Sequence, residues 1–160
     1  MNILKKILST VITVCIVAMA LLFVAPKLFG IEPKVVLSGS MEPTYPVGSL
    51  IFVEKVTPSE LKVDDNVTFY MQQNTVVTHR IIEINDDQTF TTKGDNNNSA
   101  DGEKLTYGQV IGKASEFAIP FLGYIAVFLQ SPIGYAIIAA LIVMMIASSL
   151  LDKKRERKES

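Results

Sequence analysis

Val76-Val77-Thr78-His79-Arg80-Ile81-Ile82-Glu83-Ile84 sets the fold class. β-branched residues dominate the run, and in an extended chain alternation puts His79 on one face with Val77 and Ile81. Working outward, Ser49-Leu50-Ile51-Phe52-Val53, Asn66-Val67-Thr68-Phe69-Tyr70 and residues 88–93 are further short β-branched or aromatic runs, punctuated by Pro, Gly, Asn and Asp. No helical periodicity, internal repeat or low-complexity tract interrupts them. Residues 32–116 are therefore expected to form one mainly antiparallel β-sheet or barrel, small but able to fold alone or on a membrane.

Apolar chain lies on both sides of this domain. Of the 160 residues, 49% are hydrophobic, and two uncharged stretches hold the excess. Residues 7–25 follow Lys5 and Lys6; as a helix rising about 1.5 Å per residue they match a ~30 Å hydrocarbon core. Ala18-Met19-Ala20 also fits the small-x-small site of a cleavable signal peptide. The apolar run continues through Leu21-Leu22-Phe23-Val24, longer than an ordinary signal core, so residues 1–31 read as a cytoplasmic end and a retained anchor. Residues 117–151 also lack charge, and Pro120 and Pro132 divide them. We read 133–151 as a second span, 117–132 as an interfacial segment, and 152–160 as a basic cytoplasmic tail. Basic residues flank the outer ends of both spans, which places both termini in the cytoplasm and the β-domain outside. The chain is thus expected to be a multi-pass protein of the cell membrane, or of the endoplasmic reticulum membrane in a eukaryote.

Composition excludes several kinds of chemistry. Net charge is −1, which gives no electrostatic reason for a nucleic-acid partner. Cys15 is the single cysteine and His79 the single histidine, so neither an internal disulfide nor a Cys/His metal cluster is available. No metal or other cofactor is expected.

Three segments carry candidate chemistry. In Leu37-Ser38-Gly39-Ser40-Met41-Glu42-Pro43-Thr44 a glycine between two serines permits the backbone angles of a turn that presents a nucleophile, and Pro43 stiffens its exit. Ser-Gly-Ser alone is also an ordinary loop sequence. His79, on an apolar strand face, is placed to accept a serine proton, since imidazole titrates near neutrality; the plainer reading is a structural histidine. Thr92-Lys93-Gly94-Asp95-Asn96-Asn97-Asn98-Ser99-Ala100-Asp101 is rich in turn formers, and one of its aspartates would orient the imidazole. The three signals together supply nucleophile, base and orienter. Asn66-Val67-Thr68 and Asn97-Asn98-Ser99 also match the glycosylation sequon.

Taken in order, Ser40-Met41-x-Pro43, Gly48-x-x-Ile51, Thr78-His79-Arg80 and Lys93-Gly94-Asp95-Asn96-Asn97 resemble the boxes of type I signal peptidases. The likeness extends to residues 110–113 and 119–124 and covers most of 1–135. It is to the endoplasmic-reticulum-type branch, found in archaea, Gram-positive bacteria and eukaryotes, in which His replaces the general-base Lys of the main bacterial branch. The resemblance implies a membrane-bound serine endopeptidase that removes signal peptides from exported precursors, with Ser40 as nucleophile and His79 as base. It matches the catalytic aspartate to Asp101 and leaves Asp95 to hold the loop or neighbouring backbone. Ser38 corresponds to a position that donates to the oxyanion in the lysine branch, and Met41 and Pro43 are expected to meet substrate. Implied partners are precursors and the lipid bilayer. Two other readings stay open: a maturation peptidase for specialised secreted proteins, and a non-catalytic membrane-anchored β scaffold.

Overall fold

The computed structural model describes residues 3–71 and 75–159. It divides into two compact units: Pro26–Ile125, and the chain ends up to Ala25 and from Ala126. The first unit holds β1 (Ile31–Val35), β2 (Leu50–Glu54), β3 (Asn66–Tyr70), β4 (Val76–Ile84), β5 (Phe90–Lys93) and β6 (Val110–Ala114). They form one antiparallel sheet in the order β1-β2-β6-β3-β4-β5.

The sheet is open, which corrects the barrel alternative. Closure would pair β1 with β5, and both edges are unavailable. Along β5, Asp101 N–H donates to Thr92 C=O at 2.8 Å, and Phe90 and Leu105 exchange two backbone bonds of 2.8 Å, so the chain's own return covers that side. At the other edge Val36 N–H donates to Ser49 C=O, and counting back in twos turns the Pro33 nitrogen away from β2. A proline is tolerated there because no ladder donor is lost.

Two clusters fill the core. Leu61, Val67, Phe69, Ile81, Phe90 and Leu105 form one; Met41, Tyr45, Ile51, Val53 and Ala114 form the other. The expected face of β4 is present: His79 and Ile81 are buried, and Val77 packs on the first cluster. Thr68 and Thr78 join their hydroxyls at 2.8 Å across β3 and β4. Asn66, in the first sequon, is buried and donates to the Tyr45 hydroxyl at 2.8 Å, so the folded domain does not offer it for glycosylation.

The β-unit also runs beyond residue 116. Leu50 and Ile119 exchange backbone bonds of 3.0 and 2.8 Å, and Gly123 N–H donates to Gly48 C=O at 2.9 Å. The start of the segment read as interfacial is therefore hydrogen-bonded into the sheet; an apolar stretch has the same sequence signature in either place.

In the terminal segments, α1 (Ile3–Phe23) and the short α2 (Ala25–Leu28) contain one candidate span, Ser9–Leu28, with mean hydropathy 2.4. Toward the other end, α3 (Leu122–Leu129) meets the first part of α4 (Pro132–Glu159) at a 78° bend. Ser131 makes that break: its hydroxyl donates to Phe128 C=O at 2.6 Å and accepts from Gly134 N–H at 3.0 Å, with Pro132 in the first helical turn. The helix continues through Glu159, whereas the sequence reading ends the span at residue 151. The side chains of Lys5, Lys6 and the basic tail lie outside the described residues.

Candidate active site

Ser40 sits in a 3-10 turn, Gly39–Met41, that follows β1 and lies against β4. Met41, 2% exposed, drives its side chain into the second core cluster and anchors the turn from below. Tyr45 fixes the exit: its hydroxyl donates to Ser115 C=O and accepts from Asn66. Burial pushes its phenol up to about 12, so it stays a donor across the physiological range. The Ser40 hydroxyl is partly exposed and pairs with the Ser38 hydroxyl at 3.3 Å.

His79 occupies β4 opposite Val67 of β3. Its side chain is 7% exposed, and the Phe69 ring meets it edge-on at 6.2 Å. Asp101, 12% exposed, reaches back so that Oδ2 lies 2.7 Å from His79 Nδ1. A carboxylate accepts only, so the proton in this bond rests on Nδ1, and Nε2 is left with a free lone pair. Thr92, on β5, donates its hydroxyl to the same Oδ2 at 2.6 Å.

The stretch from Gly94 to Asn97 grips the turn that bears Ser40. Asn96 N–H donates to Ser40 C=O at 2.9 Å, and its side-chain amide donates to Gly39 C=O at 3.2 Å. A Cβ on Gly94 would lie 2.6 Å from the Ser40 carbonyl oxygen, so only glycine permits this approach. Gly39 is different. Its φ is not in the left-handed region, and a Cβ there would meet the Glu42 carboxylate at an ordinary 3.6 Å. The glycine this turn requires stands at 94.

Asp95 holds the stretch from behind through side chains rather than backbone. Arg80 forks onto it, Nε to Oδ1 and Nη2 to Oδ2 at 2.8 Å each, and Thr44 donates to Oδ2. The Arg80 hydrogen bonds, with help from Thr44, hold its carboxyl below the usual carboxylate range. A depressed folded-state value contributes stability above the unfolded pKa near ~3.9 that is lost as pH falls through the folded value. Acid unfolding below roughly pH 4 should therefore be less steep in Asp95→Asn than in the wild type. Melting temperatures at stepped pH check this, and parallel acid limbs would refute it.

The structure thus brings Asp101 to His79 and separates Asp95 from it chemically. Of the two side chains expected to meet substrate, Pro43 is exposed and Met41 is core. Thr92 and Asn96 carry no site signal of their own in the sequence: both lie in the turn-rich segment, but their partners are set by tertiary contact.

A hydroxyl on a tight turn, beside a strand whose imidazole is held by a half-buried carboxylate, is the equipment of a serine peptidase. A family model described as signal peptidase, peptidase S26, matches residues 6–87. The chain is 38% identical over 131 residues to signal peptidase I W of Bacillus subtilis (strain 168), covering 75% of this chain and 69% of that protein. It is 31% identical over 121 residues to the signal peptidase complex catalytic subunit SEC11C of Rattus norvegicus, covering 67% and 62%. The SEC11 catalytic subunit of Fusarium vanettenii is 34% identical over 108 residues, 60% of this chain and 62% of that protein. The chain belongs to the signal peptidase family, peptidase S26.

Proposed function

We propose that this chain removes signal peptides from exported precursors, with Ser40 as nucleophile, His79 as general base and Asp101 as the group that orients the imidazole. The observation that carries it is the 2.7 Å bond between His79 Nδ1 and Asp101, which fixes the tautomer with Nε2 free to take a proton. As Ser40 attacks the scissile carbonyl, its hydroxyl proton passes to that nitrogen. His79 then delivers the proton to the leaving amine, and water repeats the cycle on the acyl-enzyme. The Ser40 backbone N–H, with the Ser38 hydroxyl, receives the oxyanion; one such donor is commonly worth about 3 kcal/mol.

The substrate adds as an extended segment to the free half of β4. β4 runs from Val76, but among the described residues β5 pairs with it only from Arg80 onward. Met71 N–H bonds Thr75 C=O, so alternation turns the backbone groups of Val76 and Thr78 toward the unpaired side, beside His79. Cleavage of a labelled precursor by membranes carrying the protein, with the product sequenced, tests the proposal. Processing at an internal site unrelated to the end of the apolar segment would point to a different maturation peptidase.

Ser9–Leu28 anchors the domain, and residues 133–151 form the second span, with both termini in the cytoplasm. Tags on either terminus should then be protected from protease added to sealed cells, while the β-domain is digested. Digestion of the C-terminal tag from outside would instead mean that residues 133–151 do not form a second crossing.

A further inference from the structure

We infer that Thr92 is a positioning residue for catalysis: it fixes the Asp101 carboxylate, and through it the base. The inference rests on the Ser40–His79–Asp101 reading and adds a fourth side chain to it. Thr92 is 1% exposed and lies on the inward face of β5, opposite Ile81 of β4. Its hydroxyl reaches Asp101 Oδ2 at 2.6 Å, the same oxygen that lies 2.7 Å from His79 Nδ1. Its carbonyl accepts the Asp101 N–H at 2.8 Å. Asp101 is thus held at both ends by one strand residue, backbone to backbone and side chain to side chain.

The direction of each bond follows from the groups. An ionised carboxylate can only accept, so Thr92 Oγ1–H and His79 Nδ1–H both donate into Oδ2. A carboxylate with a single donor can turn about its Cβ–Cγ bond and offer either oxygen. Two donors converging on one oxygen remove that freedom. The imidazole is then presented to Ser40 in one tautomer and one orientation, with no reorganisation required during proton transfer. Thr92 touches neither the substrate nor Ser40, so its influence should appear in the chemical step.

The discriminating variant is Thr92→Val, which keeps shape and β-propensity and deletes only the hydroxyl. Alanine is less suitable: Asp101 lines a cavity of about 490 Å³ with Phe69, Met71 and Leu105, from which water could replace the missing donor. Steady-state cleavage of a precursor peptide by the full-length protein in detergent should show kcat lower by roughly 10- to 100-fold in Thr92→Val, with KM unchanged. Thr92→Ser, which restores the donor, should return kcat to within about threefold. Thr92→Cys, a weaker donor of similar size, should fall between them and serves if valine does not fold. In an Asp101→Asn background the valine substitution should cost less than about twofold more, because both act through one carboxylate. Wild-type kcat in Thr92→Val, alongside an inactive Asp101→Asn, would overturn the Thr92 role and leave the triad standing. Full activity in Asp101→Asn would remove both. Equal losses in valine and serine variants, tracking their melting temperatures, would make Thr92 a strand residue and nothing more.

Discussion

Ser40→Ala is expected to reduce precursor cleavage by at least about 10⁴-fold while the protein stays inserted and folded, because serine triads act as a unit and removing the nucleophile leaves only binding and oxyanion contacts. The side chain is partly exposed and its one hydrogen bond, to Ser38, is a surface bond, so little stability depends on it. His79→Ala should lose activity to a similar extent. It removes a buried ring from against Phe69 and leaves Asp101 with Thr92 as its remaining side-chain donor, so some loss of melting temperature should accompany it. His79→Lys is the sharper variant, since a lysine serves as base in the main bacterial branch. It should be inactive here, because a primary amine is neutral near pH 7 only when desolvated away from a carboxylate, and this position places it beside Asp101. Measurable turnover in Ser40→Ala above the background of empty membranes would end the mechanism.

The second large effect separates the two aspartates. Asp101→Asn should keep the fold and lose most turnover, on the order of 10⁴-fold as in a comparable triad, since an amide cannot stabilise the imidazolium and favours the wrong tautomer. Asp95→Asn should do the reverse. It removes the charge opposite the Arg80 fork and turns an amide toward the guanidinium, so it should cost about 1–3 kcal/mol of stability. Activity should fall less, and only as the Gly94–Asn97 stretch loosens its hold on Ser40. Initial rates and melting curves for both variants in matched detergent decide the matter. An inactive Asp95→Asn at wild-type stability, beside an active Asp101→Asn, would exchange the two roles.

Much of this was legible in the sequence, for reasons that differ by residue. The β texture and the buried face of β4 follow from alternation, a local signal that Val77, His79 and Ile81 carry unaided. Asp101 came from the resemblance, and the geometry gives it His79 as a partner. Less readable were pairings across long stretches of chain. Nothing local marks Thr92 as the second donor to Asp101, or Asp95 as the acceptor of a fork from Arg80 on β4. Gly39 draws attention in the sequence because it lies between the serines, whereas the close backbone approach occurs at Gly94, visible only once residues 40 and 94 are adjacent. Residues 117–121 are hard to read for a related reason: an apolar stretch next to a helix does not say whether it lies at a bilayer or pairs with Leu50.

The segment from Thr92 to Asp101 touches both halves of the proposed catalytic apparatus: Asn96 clasps the turn that bears Ser40, and Asp101 holds His79. One local opening of this segment would release Ser40 and His79 together. Molecules in that state have no half-assembled site able to cleave slowly or at the wrong bond. Loss of activity on heating should then follow a single exponential with unchanged cleavage-site fidelity in the surviving fraction, so that the enzyme population behaves as a mixture of competent and silent molecules.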